Sequence, residues 1–453
     1  MKKQKPKKNK PKKAVAKSRP VKKVPKSVVT GPEIYLDYAS ATPVSKAVEA
    51  AMAASAGFFA NPGGLHTKAV EVKKLISESR KTIARLIDAR PEEIVFTANA
   101  TEANTLALNG TITAWRNINP NETPHIIISA IEHPSIIEVA KSLEEDGVSV
   151  TRIGVDAYGM ILLPELKAAL QPNTVVVSIM QANNEIGTIE PIDQIVKTVR
   201  HYRKENVKKG TENTVKDLSL LEYPLIHVDA TQAFQYLPVR IVKPEVELMT
   251  LSSGKIYGPR GIALLFVRNN IGFTPTMPGG GQEGGRRGGT EATALIVGFA
   301  KAVEETVALR EKESIRLKKI LEIGKIELAK KIPTAKLLGH PTNRLPNNLC
   351  FSIEDVESEY LVLELSAKKI YASSRSSCKS ESTSDSEVDS HVIMAIGGSP
   401  TDGTVRLSFG RDTKETDVRR AIAVIAEATE KWKSWSHAHK VNLTCQKPPI
   451  SKS

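Results

Sequence analysis

The stretch LIHVDATQAFQYLPVRIVKPEVELMTLSSGKIYGPRGIALLFV, residues 225–267, holds three short apolar runs separated by polar and turn-forming residues: LIHVD at 225–229, LMTLS at 248–252 and IALLFV at 262–267. Outward from it lie further β-type runs, IVF at 94–96, HIIIS at 125–129 and TVVVSIM at 174–180. Amphipathic segments at 66–87, 133–146 and 190–205 intervene. Apolar runs of strand length alternating with helical patterns predict an α/β domain with a mostly parallel sheet. Residues 292–331 read as one long, charged helix or a helix with a break. After it the pattern turns α+β and ends in a helix near 415–435.

The expected organisation is therefore a large α/β domain over 31–290 and a smaller C-terminal α+β domain over 291–436, with residues 31–45 free to pack on the latter. A disordered basic tail is expected over 1–30 and a flexible tail over 437–453. Polar residues at 203–223 predict a loop insertion, and the Ser-rich stretch 372–390 predicts a mobile loop.

At 453 residues, 40% hydrophobic and 25% charged, the chain has the composition of a globular protein rather than a fibrous or wholly disordered one. The net charge of +14 is local: residues 1–29 carry 13 of the 64 Lys and Arg and no acid, which leaves about +1 for the rest. That Lys- and Pro-rich tail has no apolar core of a signal peptide, and it is not an Arg-rich amphipathic presequence. It is either a solvated tail or a weak, salt-sensitive contact for RNA, DNA or anionic lipid. The absence of an apolar run long enough to cross a bilayer argues against a transmembrane helix. Three cysteines, Cys350, Cys378 and Cys445, are too few for a disulfide scaffold and point to a reducing compartment, hence a cytoplasmic protein. They lack the spacing of a metal site, so no metal is expected.

Several residues carry possible chemistry. Lys255 follows an apolar strand and the small residues Ser252 and Ser253, a setting for a Schiff-base lysine beside a phosphate site, or for a plain surface lysine on a turn. Asp229 ends a strand, where α/β sheets place binding groups; it could pair with a protonated pyridine nitrogen or cap a helix. FTANATEAN at 96–104 joins a strand to a helix start, an anion site in which Ala100 and Thr101 stand at the helix N-terminus, or a capping box formed by Asn99 or Thr101. Cys378 sits among serines with Arg375 and Lys379 nearby, which favours thiolate, whereas Cys350 lies on an apolar run and reads as core. His133 follows a strand, Asn183, Asn184 and Glu185 end another, and Arg406 and Arg411 lie near the end of the small domain. Together these outline a pyridoxal-phosphate (PLP) site.

Eleven segments carry a resemblance: YLDYASATPV, NPGGLHTKA, EEIVFTANATEAN, SAIEHPSIIE, QANNEIGTIEPI, HVDATQAF, SSGKIYGPRG, GGGQEGGRRGGTE, RLPNNLCFSI, SSRSSC and VRLSFGR, in that order. In them the chain resembles the cysteine desulfurase family of fold-type I PLP enzymes over about residues 34–435. The resemblance implies the PLP-dependent transferase fold, with a mostly parallel seven-stranded sheet in the large domain. It implies that Lys255 binds the cofactor covalently and moves the Cα proton, that Asp229 partners the pyridine nitrogen, and that His133 stacks on the ring. Asn184 and Gln232 would touch the ring and its 3′-oxygen. Ala100, Thr101 and Ser252 would bind the phosphate, with Thr290 reaching in from a partner subunit of a homodimer. Arg406, with Asn184, would hold the substrate carboxylate. Cys378 would take sulfur from L-cysteine as a persulfide, releasing alanine and passing the sulfur to an acceptor protein in iron–sulfur assembly or tRNA thiolation.

Some residues depart from the family pattern. Gly254 stands where the family has His before the lysine, Asn99 and Ala69 where it has Gly, Gly284 where it has Arg, and Arg375 where it has Gly. Loss of the His removes one hydrogen bond to the phosphate, worth about 1 kcal/mol. The alternatives are a selenocysteine lyase or another PLP-dependent lyase on the same fold, and a catalytically impaired scaffold whose basic tail binds nucleic acid.

Overall fold

The structure, a computed structural model, describes residues 32–207, 223–239, 245–374, 390–399 and 401–444. The basic tail, most of the 203–223 insertion, Cys445 and the segment with Arg375, Cys378 and Lys379 lie outside them.

The first part of the chain runs β1 (Ile34–Tyr35), α1 (Lys46–Ser55), α2 (Thr67–Leu86), β2 (Ile94–Thr97), α3 (Ala100–Ile118), β3 (His125–Ser129), α4 (Pro134–Glu145), β4 (Ser149–Ile153), α5 (Leu163–Ala169), β5 (Thr174–Met180), α6 (Ile192–Val207), β6 (Leu225–Asp229), β7 (Leu248–Ser252) and β8 (Ala263–Val267). Then follow α7 (Thr293–Lys331), β9 (Lys336–Leu337), β10 (Asn348–Ile353), α8 (Ser358–Ala367), β11 (Ile370–Tyr371), α9 (His391–Ala395), β12 (Gly403–Ser408) and α10 (Glu415–Thr444).

Seven strands form one sheet in the order β2-β8-β7-β6-β5-β3-β4. β8 is antiparallel to both its neighbours, and the remaining pairs are parallel. The architecture is thus α/β with a mostly parallel seven-stranded sheet, as expected. Central strands β5 and β6 are buried along their whole length, because helices cover both faces. Side chains alternate between the two faces. Ile126, Ile128, Val176 and Leu225 pack with Leu108, Ile112 and Trp115 of α3 and Ile136 of α4. Ile127, Val177, Ile226 and Val228 join the main core with α2, α6 and α7.

Because β8 is antiparallel to both β2 and β7, β2 runs in the same direction as β7. The carboxyl ends of β2, β3, β5, β6 and β7 therefore share one edge. That edge is where open α/β sheets bind ligands.

In the C-terminal part, β10 pairs antiparallel with β12 and with β9. The N-terminal segment reaches over to this part: β1 lies parallel to β11, and Asp37 forms a bridge with Ser408. Helix α7 is continuous over 39 residues, with no break. At one end Gly298 lies against Met52 of α1, and further along Gly324 lies against Leu349 of β10 and Val418 of α10. One helix therefore packs on both parts of the chain.

Helix α10 runs to Thr444, into the stretch 437–453 expected as a flexible tail. No Gly or Pro lies between Glu415 and Thr444, so nothing in the backbone forces the helix to stop at 436. Asp229 caps no regular helix, because the residues that follow it form turns, and its side chain instead accepts the Thr231 amide at 2.9 Å.

Candidate active site

At the carboxyl edge, Asp229 is 7% exposed and each of its oxygens accepts one hydrogen bond. Oδ1 accepts from the Thr231 amide and Oδ2 from Asn104 Nδ2, both at 2.9 Å. Asn104 is fully buried on α3, and the same Nδ2 donates to Ser135 Oγ at 2.9 Å. His133 is the N-cap of α4, and its Nδ1 accepts from the Ser135 amide. The ring proton of neutral His133 must then sit on Nε2, turned away from the helix. Burial lowers the pKa of His133; Asp229 opposes this, and the nearby Lys255 and His391 add to it. A chain of hydrogen bonds thus ties Asp229 to His133 through Asn104 and Ser135.

Lys255 follows β7 in a short 3₁₀ turn. Its Nζ donates to the backbone oxygens of Ala39 at 2.9 Å and Ser40 at 2.6 Å. Gln232 Nε2 donates to the same Ala39 oxygen at 2.9 Å. Arg406, on β12 and 5% exposed, donates from Nη1 to the Asn184 backbone oxygen at 2.9 Å and from Nη2 to Asp37 Oδ1 at 2.8 Å.

Asn183 and Asn184 have different tasks. Asn183 is fully buried and its Oδ1 accepts from the amides of Glu185 and Ile186, which fixes the turn after β5. Gly187 closes that turn with φ +78°, and a Cβ there would lie 2.8 Å from Asn348. Asn184 is left half-buried at the edge.

Ala100 and Thr101 begin α3 at the same edge, and Asn99 is the cap, accepting from Glu102 N at 2.9 Å. Ser252 ends β7 half-buried, whereas its neighbour Ser253 is fully buried. Thr290 is exposed in the loop before α7. Cys350 is buried on β10, which raises its thiol pKa to about 12, as suits a core residue. Cys378 lies outside the described residues, but the residues that flank its segment are at the site. Ser373 forms a bridge with Arg406, Ser390 Oγ donates to Glu185 Oε2, and His391 Nε2 contacts the Glu132 backbone oxygen at 2.8 Å.

The structure thus brings Lys255, Gln232 and Arg406 around the Asp37–Ala41 turn, and Asp229 and His133 beside them. Ala39, Ser40, Asp37, Asn104 and Ser135 were not singled out from the sequence. The signal for the first three was the segment YLDYASATPV, and Asn104 lay within FTANATEAN.

Asn104 Oδ1, Thr231 Oγ1, Ser253 Oγ and Arg406 Nε are buried without a hydrogen-bond partner among the described residues. Such atoms are costly unless a polar ligand meets them. The donor set suits PLP and an amino acid: a carboxylate for a ring nitrogen, a lysine amine for an aldehyde, helix amides for a phosphate, and a guanidinium for a carboxylate.

Next to His133, Glu132 is fully buried. Burial raises its pKa to about 8 against hydrogen bonds from Ser129 and the Met180 amide. Burial likewise raises Glu190 to about 8. Both carboxyls therefore hold a proton in the folded chain over a pH range in which the unfolded chain has lost it. Their contribution to stability is fully present below about 4.5 and is lost as pH rises through about 8. The double variant Glu132→Gln, Glu190→Gln is expected to show a shallower fall of Tm between pH 5 and pH 9, about the interval these shifts span, when followed by circular dichroism.

The chain matches the family Aminotransferase class-V over residues 34–205 and 201–421. Members of this family are PLP-dependent in general. The chain is 35% identical over 405 residues to cysteine desulfurase IscS of Dictyoglomus turgidum, covering 89% of this chain and 96% of that protein. It is 36% identical over 409 residues to cysteine desulfurase IscS 1 of Archaeoglobus fulgidus, covering 90% and 99%. Among solved structures, a NifS-like protein superposes with a TM-score of 0.77 at 28% identity, covering 88% of this chain and 100% of that one. This chain belongs to the cysteine desulfurase family.

Proposed function

We propose that the protein removes sulfur from L-cysteine, releases L-alanine and carries the sulfur as a persulfide on Cys378 until an acceptor protein takes it. The observation that carries this reading is that Lys255 and Arg406 are bonded to the same residue: Lys255 Nζ to the Ser40 backbone oxygen, and Arg406 Nη2 to Ser40 Oγ. A lysine that handles amines and an arginine that handles carboxylates are hydrogen-bonded to one short turn, as an α-amino acid requires.

Bound PLP supplies an electron sink for the charge left on Cα once its proton is removed. Lys255 would hold the cofactor and move that proton at Nζ. Asp229 would hold the proton of the ring nitrogen, with Asn104 and the Thr231 amide fixing its orientation. His133 would cover the ring and present Nε2–H, and Gln232 and Asn184 would touch the ring and its oxygen. Ala100, Thr101 and Ser252, with Thr290 of a second subunit, would bind the phosphate. Arg406 would hold the substrate carboxylate. At Cys378, the Cβ–S bond of cysteine breaks as an S–S bond to Sγ forms. The thiol proton of Cys378 balances the third β-hydrogen of alanine. Arg375 and Lys379 favour the thiolate that this attack needs.

A homodimer fits the exposure of Phe59 and Leu65 before α2 and of Val70 in its first turn, which a second copy would cover. No described helix is long and apolar enough to cross a membrane. A thiol nucleophile needs a reducing compartment, and we place the enzyme in the cytoplasm. The acceptor serves iron–sulfur assembly or tRNA thiolation.

The test is incubation of the PLP-loaded protein with L-cysteine, with alanine quantified by chromatography and persulfide by intact mass. The expected result is alanine together with a sulfur adduct on Cys378 that Cys378→Ser abolishes. PLP binding with neither product sinks the reading.

Position 254 gives a second prediction. A Cβ on Gly254 would meet only Arg260 Cγ, at 3.5 Å, an ordinary contact, so the backbone admits a Cβ there. Gly254→His is expected to tighten PLP binding by about fivefold, the value of one added hydrogen bond. Titration of the apoprotein by visible absorbance measures it.

A further inference from the structure

We infer that Ser40, braced by Asp37, is the positioning residue that aims Arg406 at the substrate α-carboxylate. The Asp37–Ser40 turn thereby sets a preference for ligands with a free carboxylate over their neutral analogues. The identity of the substrate rests on the desulfurase reading above, whereas the clamp stands on its own geometry.

Three polar groups close a triangle. Arg406 Nη2 donates to Ser40 Oγ at 2.7 Å and to Asp37 Oδ1 at 2.8 Å, and Ser40 Oγ donates to the same Asp37 oxygen at 2.8 Å. Both hydrogens of Nη2 are thereby used. Nη1 spends one on the Asn184 backbone oxygen. What remains is one Nη1 hydrogen and the Nε hydrogen, and Nε is buried without a partner among the described residues. These two hydrogens lie on different edges of the guanidinium, so a carboxylate meets one of them as a single charge-assisted bond whose direction depends on the plane being fixed.

The turn is well anchored to do this. Asp37 bridges to Ser408, two residues along β12 from Arg406. The Ala39 amide donates to Ser408 Oγ at 2.9 Å, and Tyr35 Oη donates to the Asp37 backbone oxygen at 3.0 Å. Asp37 also brings a negative charge within 2.8 Å of the guanidinium. An incoming anion therefore meets a pair that is largely neutral overall, and its binding depends on hydrogen-bond geometry more than on bare charge. The hydroxyl at position 40 accepts from Arg406 and donates to Asp37 at once, which the methyl of alanine cannot do. Its own backbone oxygen holds Lys255 Nζ at 2.6 Å, so the same residue sets the distance between the amine end and the carboxylate end of the site.

The experiment uses the full-length, PLP-loaded protein and measures equilibrium binding of L-alanine and of L-alaninamide by calorimetry. The wild type is expected to prefer L-alanine. Ser40→Ala is expected to reduce that preference by about 5- to 20-fold, as loss of two hydrogen bonds implies. Ser40→Thr, which keeps the hydroxyl, is expected to retain it. In turnover, Ser40→Ala is expected to raise KM for L-cysteine by a similar factor with kcat changed much less. An unchanged preference in Ser40→Ala overturns the inference. Equal weakening of both ligands, which marks a purely structural role, overturns it too, as does a wild type without the preference. If the preference and its loss are both seen while L-cysteine yields no alanine, the clamp stands and the desulfurase reading falls.

Discussion

Lys255→Ala is expected to lose turnover of L-cysteine by on the order of a thousandfold or more, because it removes both the covalent anchor for the cofactor and the base at Cα. The geometry makes this lysine hard to replace. Its Nζ lies between two backbone oxygens, those of Ala39 and Ser40, on a turn more than 200 residues away in sequence. Lys255→Arg separates the two roles of the residue. Arginine keeps a positive charge to meet the two carbonyls, so the fold should persist, but it cannot condense with an aldehyde. The measurement is alanine formation together with visible absorbance and circular dichroism of both variants. Loss of activity in Lys255→Arg with native dichroism supports the assignment. Residual activity within about tenfold of wild type would show that another base serves Cα, since a positioned base alone is worth about 100-fold or more.

The second large effect is on stability. Glu283→Ala is expected to cost about 3–5 kcal/mol, the range for breaking a buried ion pair from one side. Glu283 lies in the glycine-rich segment GGGQEGGRRGG, yet its side chain is 2% exposed and it faces Arg80 of α2 with two bonds of 2.7 Å. The carboxylate also accepts the Phe96 amide of β2 at 2.9 Å, and the Arg80 guanidinium lies over the Phe96 ring at 4.6 Å. One carboxylate therefore ties a loop, a helix and a strand together. Removing it leaves the Phe96 amide without its partner and Arg80 without its counter-charge, held by the Ile94 backbone oxygen alone among its bonds here. Glu283 adopts φ +52°, a left-handed conformation unfavourable for a side chain, which only so complete a set of contacts would hold in place. Alanine keeps that strain and loses the contacts. Urea denaturation should show a lower midpoint with an unchanged slope. A shift worth under about 1 kcal/mol, the ordinary value of an exposed ion pair, would mean that water replaces the pair without loss.

The sheet was largely legible from the sequence because its central strands are apolar along their whole length. TVVVSIM and LIHVD admit few other readings once helical patterns flank them. Strand β4 escaped notice for the opposite reason. It is an edge strand whose first four residues, Ser149 to Arg152, are exposed or half-exposed, so its sequence carries no apolar run. The two-residue strands β1 and β11 are too short for any periodicity, and their pairing is a fact of tertiary structure alone. In the site, the residues assigned from charged and ring-bearing side chains stood out because their chemistry is specific. Asn104 and Ser135 did not, because a buried Asn or Ser in a helix is ordinary until its partners are seen. The roles of Ala39 and Ser40 as acceptors for Lys255 involve backbone oxygens, which every residue possesses, so only the segment YLDYASATPV around them, and no side-chain chemistry, pointed there.

The bond from Arg406 to Asp37 spans 369 residues of sequence. During synthesis Asp37 leaves the ribosome long before its partner exists. At about 5–20 residues per second the wait is roughly 20 to 70 s. Over that interval Ile34 and Asp37 lack β11 and β12, and Lys255 lacks a turn held in place to receive it. The growing sheet can collapse around its own apolar strands, but the carboxylate clamp closes only when the C-terminal strands arrive. A chain cut short before Gly403 thus lacks Arg406 and Ser408, and with them the groups that close on Asp37 and Ser40.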